Sequence, residues 1–209
     1  MRPEPTCPRC RGPVTSPNEW SSEWNCPAHG PVLPLQPVRS PSAEGLAAIR
    51  RDARVPIWLP WPLPQGWLVT GFLHAGDVRT GSRACGVALA GPGLVSGPAD
   101  LLLLSEEMGV GLGAHLAGLP GPDPGVGFDQ GPPHAKINAL GRPSPLWSVD
   151  AGPDRAVYVG EALACWLWAI LWPTDAGVLM LDSLTLCDLR EPDLRLDPPY
   201  GAPCPRLTG

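Results

Sequence analysis

Cys7, Cys10, Cys26 and His29 carry the most specific chemistry in this chain of 209 residues. They stand as Cys7-Pro-Arg-Cys10, fifteen intervening residues, and Cys26-Pro-Ala-His29. Paired ligands with two residues inside each pair are the spacing of a four-coordinate structural zinc site. Each pair fits on one tight turn, so two turns brought face to face complete a tetrahedron. All four ligands come from protein, which leaves no position open for water or substrate and makes the expected zinc structural rather than catalytic. Disulfide pairing would leave His29 without a role. The opening Met1-Arg2-Pro3-Glu4-Pro5 has no apolar secretory core, so a cytoplasmic setting is expected, where thiols stay reduced and metal is favoured. A redox Cys-x-x-Cys belongs beside a βαβ pattern, whereas here a second ligand pair follows.

Nothing else in the chain has comparable chemical definition. Gly109-Val110-Gly111-Leu112-Gly113-Ala114 satisfies a loose dinucleotide pattern, but Gly118-Leu119-Pro120 leaves too few residues for a crossover helix. No lysine follows as in a P-loop, and a glycine-rich turn beside a sheet edge is the expected reading. Glu106 and Glu107 close an apolar run, with His115, Asp123, Asp129 and His134 further on. Carboxylates and imidazoles beside a long loop are the materials of an acid/base site. Adjacent strand residues point to opposite faces, however, so at most one glutamate faces a pocket, and a solvated edge is expected. No serine sits in a nucleophile elbow, and no cysteine outside the cluster has a neighbouring histidine. Catalytic and cofactor-binding residues are therefore expected to be none.

The elements that must position the cluster follow from composition and apolar runs. A net charge of -5 gives no hint of a polyanionic partner. Residues 1–40 hold Arg2, Arg9, Arg11 and Arg39 against Glu4, Glu19 and Glu23, too little basic surface for a nucleic-acid ribbon. No apolar stretch reaches membrane-span length. Residues 1–33 read as a zinc-binding ribbon or knuckle, too short to fold without its metal. Residues 34–54 read as a linker, stiff and proline-rich over 31–41, and a short helix with Ser42 as N-cap. Prolines 56, 60, 62 and 64 exclude helix and argue against a ladder strand there.

Short apolar runs then recur over 67–75, 84–90, 101–105, 135–140, 145–149, 156–160, 164–172, 178–181 and 185–189. Without long amphipathic helices between them, they imply a mainly antiparallel β domain over 55–197, and an α+β chain as a whole. Thr174-Asp175-Ala176-Gly177 reads as a hairpin turn with Gly177 at positive φ. The loop 118–134 is long enough to be mobile or functional, and the proline-rich tail 198–209 is expected along the surface. Trp166, Trp168 and Trp172 share one strand face, either core or docking patch. Cys85, Cys165, Cys187 and Cys204 read as small buried hydrophobes.

The Cys-Pro-x-Cys opening with Trp24 and Cys26-x-x-His29-Gly30, the Val55-to-Pro64 segment, Gly109-to-Gly113, Gly121-Pro122-Asp123-Pro124-Gly125, Pro145-Leu146-Trp147, Asp154-Arg155-Ala156-Val157 and Trp166-Leu167-Trp168-Ala169 resemble an uncharacterised family of actinomycete proteins. The resemblance covers nearly the whole chain and implies no defined activity. The residues themselves point to a non-enzymatic, zinc-containing scaffold or regulatory protein that docks a cytoplasmic protein partner. A small-molecule enzyme or sensor with a pocket near Glu106, Glu107 and the 118–134 loop is the first alternative, and an acyl- or phosphoryl-transfer type for it is what the resemblance alone implies. A nucleic-acid-binding zinc ribbon is the second.

Overall fold

The computed structural model describes residues 4–194 and 196–207. The first three residues of the expected ribbon, Arg195, and the last two of the proline-rich tail lie outside them. A hairpin of β1 (Trp24–Cys26) and β2 (Gly30–Val32) belongs to the knuckle, and α1 (Ala43–Asp52) follows it. The Ser42 hydroxyl accepts from the Gly45 amide at 3.1 Å, with Glu44 in the first turn and Arg50 and Arg51 in the last. The helix thus begins and ends where its caps and dipole favour it.

The remaining strands are β3 (Trp58–Pro60), β4 (Leu68–Asp77), β5 (Gly81–Pro92), β6 (Pro98–Glu106), β7 (Ala135–Ala139), β8 (Arg142–Val149), β9 (Ala156–Ala162), β10 (Cys165–Trp172) and β11 (Thr185–Asp188). Among the described residues they form one sheet in the order β3-β11-β7-β8-β9-β10-β6-β5-β4. Only β11 and β7 run parallel; the other neighbours are antiparallel. The fold is mostly β, as the short apolar runs imply.

Side-chain alternation divides the interior in two. Cys85, Val87, Leu89, Leu101, Leu103, Leu167, Ala169 and Leu171 face one core, together with Trp58 and the helix residues Leu46 and Ile49. Leu102, Leu104, Trp168, Ile170 and Trp172 face the other, where Leu35, Leu207 and the short helix α2 (Leu112–Ala117) cover them. Val69 and Phe72 share the first core although three residues apart. A bulge between Val69 and Gly71 inserts the extra residue that resets the alternation. At the other end of the sheet β3 packs back against β5 and β6, so the sheet curls around the first core.

Three local expectations need correction. The proline-rich run does contain a strand, β3, which lies at the sheet edge and pairs with β11. The Trp61 amide donates to Thr185, and the Ile57 carbonyl accepts from Leu189. Odd-numbered residues therefore face β11, while prolines 56, 60 and 62 fall on the alternate positions, whose missing N–H groups would point away from it. Residues Thr174–Leu181 form a 3-10 helix instead of a hairpin turn and strand. Gly177 does not have positive φ; a Cβ there would lie 2.8 Å from the Ala156 Cβ, so close packing requires it.

The free edge of β4 is covered by irregular chain. Leu35 and Arg39 bridge to Ala75 and Phe72, and Val69 bridges in parallel to Tyr200. The Cys204 amide adds a bond to the Thr70 carbonyl at 2.8 Å. Prolines in both covering segments keep them from offering a new edge. No helix among the described residues is long and apolar enough to cross a membrane.

Candidate metal centre

Two turns bring the four sequence-predicted ligands together. In the first, the Arg11 amide donates to the Cys7 carbonyl and the Cys7 amide to Gly12, which folds Cys7 and Cys10 onto one side. The second closes β1 onto β2, with Cys26 opposite Gly30 and His29 between them. Gly30 takes φ +66, a left-handed conformation that costs glycine little. A bridge between Thr15 and Asn25, with bonds of 2.8 and 3.0 Å, joins the two halves.

The ligand atoms of Cys7, Cys10, Cys26 and His29 all lie within 4.8 Å of one another. His29 Nδ1 is 3.6 Å from both Cys7 Sγ and Cys26 Sγ, and Cys10 Sγ is 3.8 Å from Cys26 Sγ. Cys7 and Cys26 are buried; Cys10 and His29 form the solvent side. Without a cation, burial pushes the Cys7 thiol up to about 12. Burial also raises Cys26, but the His29 ring and the Ala28 and His29 amides bring it down to about 6. The cluster can hold one metal ion, and doing so releases thiol protons.

The knuckle is fastened to the sheet by side chains within and around the ligand pairs. Arg9, inside the first pair, donates to the carbonyls of Gly109 and Val110. Gly111 sits beneath it, with φ +86 and space so limited that a Cβ would approach Arg9 Cγ to 2.9 Å. The Trp24 indole donates to Asp77 Oδ2 at 2.9 Å, and Arg79 donates to the Ser22 carbonyl, both on the β4–β5 turn. Trp20, by contrast, is 94% exposed.

The glycine-rich segment follows a central strand, β6, rather than a sheet edge, and leads into α2, of six residues. Glu106 is fully buried there, contrary to a solvated edge, and its two oxygens accept from the Leu112 and Gly113 amides at 2.8 and 3.0 Å. Burial drives its pKa up to about 8, against the lowering effect of those amides. Glu107, on the opposite face, pairs with Arg83 at 3.2 Å. Asp123 accepts from the Gly109 amide and the Trp166 indole, which ties the 118–134 loop down. Phe128 anchors the same loop edge-on against Trp147 and Trp166.

The titratable residues considered in the sequence do not converge. Glu107 borders a cleft of about 390 Å³ with Arg9, Trp24, Arg79 and Arg83. His115 lines a different hollow, and Asp123 is committed to its two donors. Sequence reading missed Arg9, and it named Asp123 and Glu106 as acid/base candidates without the structural roles they have, a loop tie and a cap on backbone amides. Only Arg9 had a local signal, its place between two ligands.

A family model described as a family of unknown function, DUF6758, matches residues 1–207. The chain belongs to that family. No curated protein and no solved structure gives a significant match. Within this DUF6758 chain, the Cys/His cluster that could hold a metal, with its fastenings, has the most definite chemistry.

Proposed function

We propose that Cys7, Cys10, Cys26 and His29 hold one structural zinc ion. Zn–S bonds of about 2.3 Å and Zn–N bonds of about 2.0–2.1 Å, set at the tetrahedral angle, space sulfurs about 3.8 Å apart and sulfur and nitrogen about 3.5 Å apart. The Cys10–Cys26 separation of 3.8 Å and the two separations of 3.6 Å from His29 match those values, and the remaining ligand pairs lie within 4.8 Å. Three thiolates and an imidazole are also the soft, closed donor set that suits zinc. His29 binds through Nδ1, and no ligand position remains for substrate.

The protein is a non-enzymatic scaffold or regulatory protein that docks a protein partner through the knuckle. The exposure of Trp20 carries this reading. It sits on a turn ordered by Asn18, whose Oδ1 accepts from the Trp20 and Ser21 amides at 2.8 and 3.1 Å. Val78, on the turn that Arg79 ties to Ser22, is 91% exposed as well. An exposed indole on a turn with an ordered backbone is a common anchor of protein interfaces. Trp58, at 1% exposure, is core and offers nothing to a partner.

Affinity capture from native cells tests this with zinc-loaded wild-type, Trp20→Ala and Arg50→Gln chains as baits. A protein recovered with wild type and Arg50→Gln but lost with Trp20→Ala supports the reading. Identical recoveries from all three baits overturn it.

A further inference from the structure

A hollow of about 310 Å³ is lined by Arg11, His115, Leu116, Arg155, Trp172 and Arg206. These residues come from the knuckle, α2, the approach to β9, the end of β10 and the C-terminal segment. Every charged side chain in the lining is basic, in a chain whose net charge is -5. The guanidinium carbons of Arg155 and Arg206 stand 5.5 and 5.0 Å from the centre of the Trp172 ring, within cation–π range.

Two of the guanidiniums have carboxylate neighbours that are not part of the lining. Arg155 pairs with Asp154 through Nε and one Nη at 2.8 and 2.9 Å and gives its other Nη to the Leu116 carbonyl at 2.7 Å, whereas Arg206 meets Asp100 through Nε alone, at 2.7 Å. Arg11 has no such neighbour among the described residues. One of its Nη groups donates to the Leu207 carbonyl at 2.9 Å, while its Nε is buried and has no acceptor. A desolvated guanidinium with an unmatched N–H lacks a negative acceptor.

The backbone at Arg11 adds an independent observation. Its φ is +58, in the left-handed region, where a non-glycine residue costs about 1–2 kcal/mol. Glycine would close the same turn without that strain. Strain held at a residue with an unmatched charged group points to use of its side chain.

We propose that this hollow binds a small phosphate-bearing molecule, its phosphate oxygens held by the guanidiniums of Arg11, Arg155 and Arg206. A carboxylate offers two oxygens in one plane. A phosphate offers oxygens in several directions, which matches guanidiniums arriving from three separate chain segments, Arg206 presenting its Nη edge and Arg155 only the second N–H of each Nη. The apolar lining is confined to Leu116 and Trp172, so the ligand is small and mostly anionic.

Titration calorimetry of the zinc-loaded full chain with pyrophosphate, at low ionic strength, tests the proposal. Wild type and Arg50→Gln, an arginine outside the hollow, should bind alike. Arg11→Gly and Arg206→Gln should each weaken binding by about tenfold or more. Arg11→Gly relieves the backbone strain but also loses the bond to Leu207; if it loses metal or melts at a lower temperature, Arg206→Gln alone decides. Absence of pyrophosphate binding by wild type, or Arg206→Gln binding less than about tenfold weaker, overturns the proposal. Malonate binding as tightly as pyrophosphate overturns the phosphate assignment.

Discussion

A carboxylate inside a core must find donors that water no longer supplies, and Glu106 finds them in two backbone amides six and seven residues further along. The arrangement has a pH signature. Its pKa in the fold, about 8, lies above the ordinary carboxylate value of 4.5, so the folded chain binds more protons than the unfolded one between those limits. That contribution to stability is complete below the lower value and is lost as pH rises through the upper one. His74, held down to about 4 by burial, acts in the opposite sense, so the signature is a difference between chains: urea unfolding at pH 5 and pH 8.5 should show the change in stability over the interval less favourable for wild type than for Glu106→Gln. Equal changes in both chains contradict the assignment. The sequence could place Glu106 and Glu107 on opposite faces from strand parity alone. It could not show which one was buried, because the partners that make burial tolerable are backbone groups with no residue-type signature. The metal cluster is the opposite case: ligand chemistry resides in cysteine and histidine themselves, and the spacing between them is local.

At the scale of elements, α2 lies against β10 with no space for a side chain at Gly113, where a Cβ would come within 2.2 Å of the Trp168 indole. Gly113→Ala should cost about 1–3 kcal/mol by overpacking, read as a lowered urea midpoint with an unchanged slope. An unaltered midpoint contradicts this packing. Trp58→Ala, at the sheet edge but buried in the first core, should cost about 3–5 kcal/mol; a loss under about 1 kcal/mol contradicts its core role. Strands β4 to β10 were legible as alternating or continuous apolar runs, and α1 through Ser42 and its terminal charges. The run 178–181 was not, since four apolar residues suit a buried helical turn as well as a strand. Proline likewise misleads at β3, because its cost depends on whether the absent N–H faces a neighbour. At an edge strand with prolines in the outward phase it does not.

At the scale of the whole molecule, the knuckle behaves as part of the sheet's cover rather than as an appendage. Leu33 and Leu35 pack on the second core, Arg9 grips the glycine-rich segment, and Trp24 and Arg79 bind the knuckle to the β4–β5 turn. Loss of metal should therefore loosen residues 4–33 and 107–113 together while the central strands stay protected. Hydrogen exchange of Cys26→Ser against wild type checks this. Uniform deprotection of β5, β6, β9 and β10 contradicts it, as does no change at 107–113. The claim on which the rest depends is the metal itself. Zinc-edge X-ray absorption on protein purified without added metal tests it most directly. The account predicts about one zinc per chain, with three sulfurs at about 2.3 Å and one nitrogen at about 2.0–2.1 Å. Protein without zinc, or zinc bound by oxygen in place of the cysteine sulfurs, contradicts it.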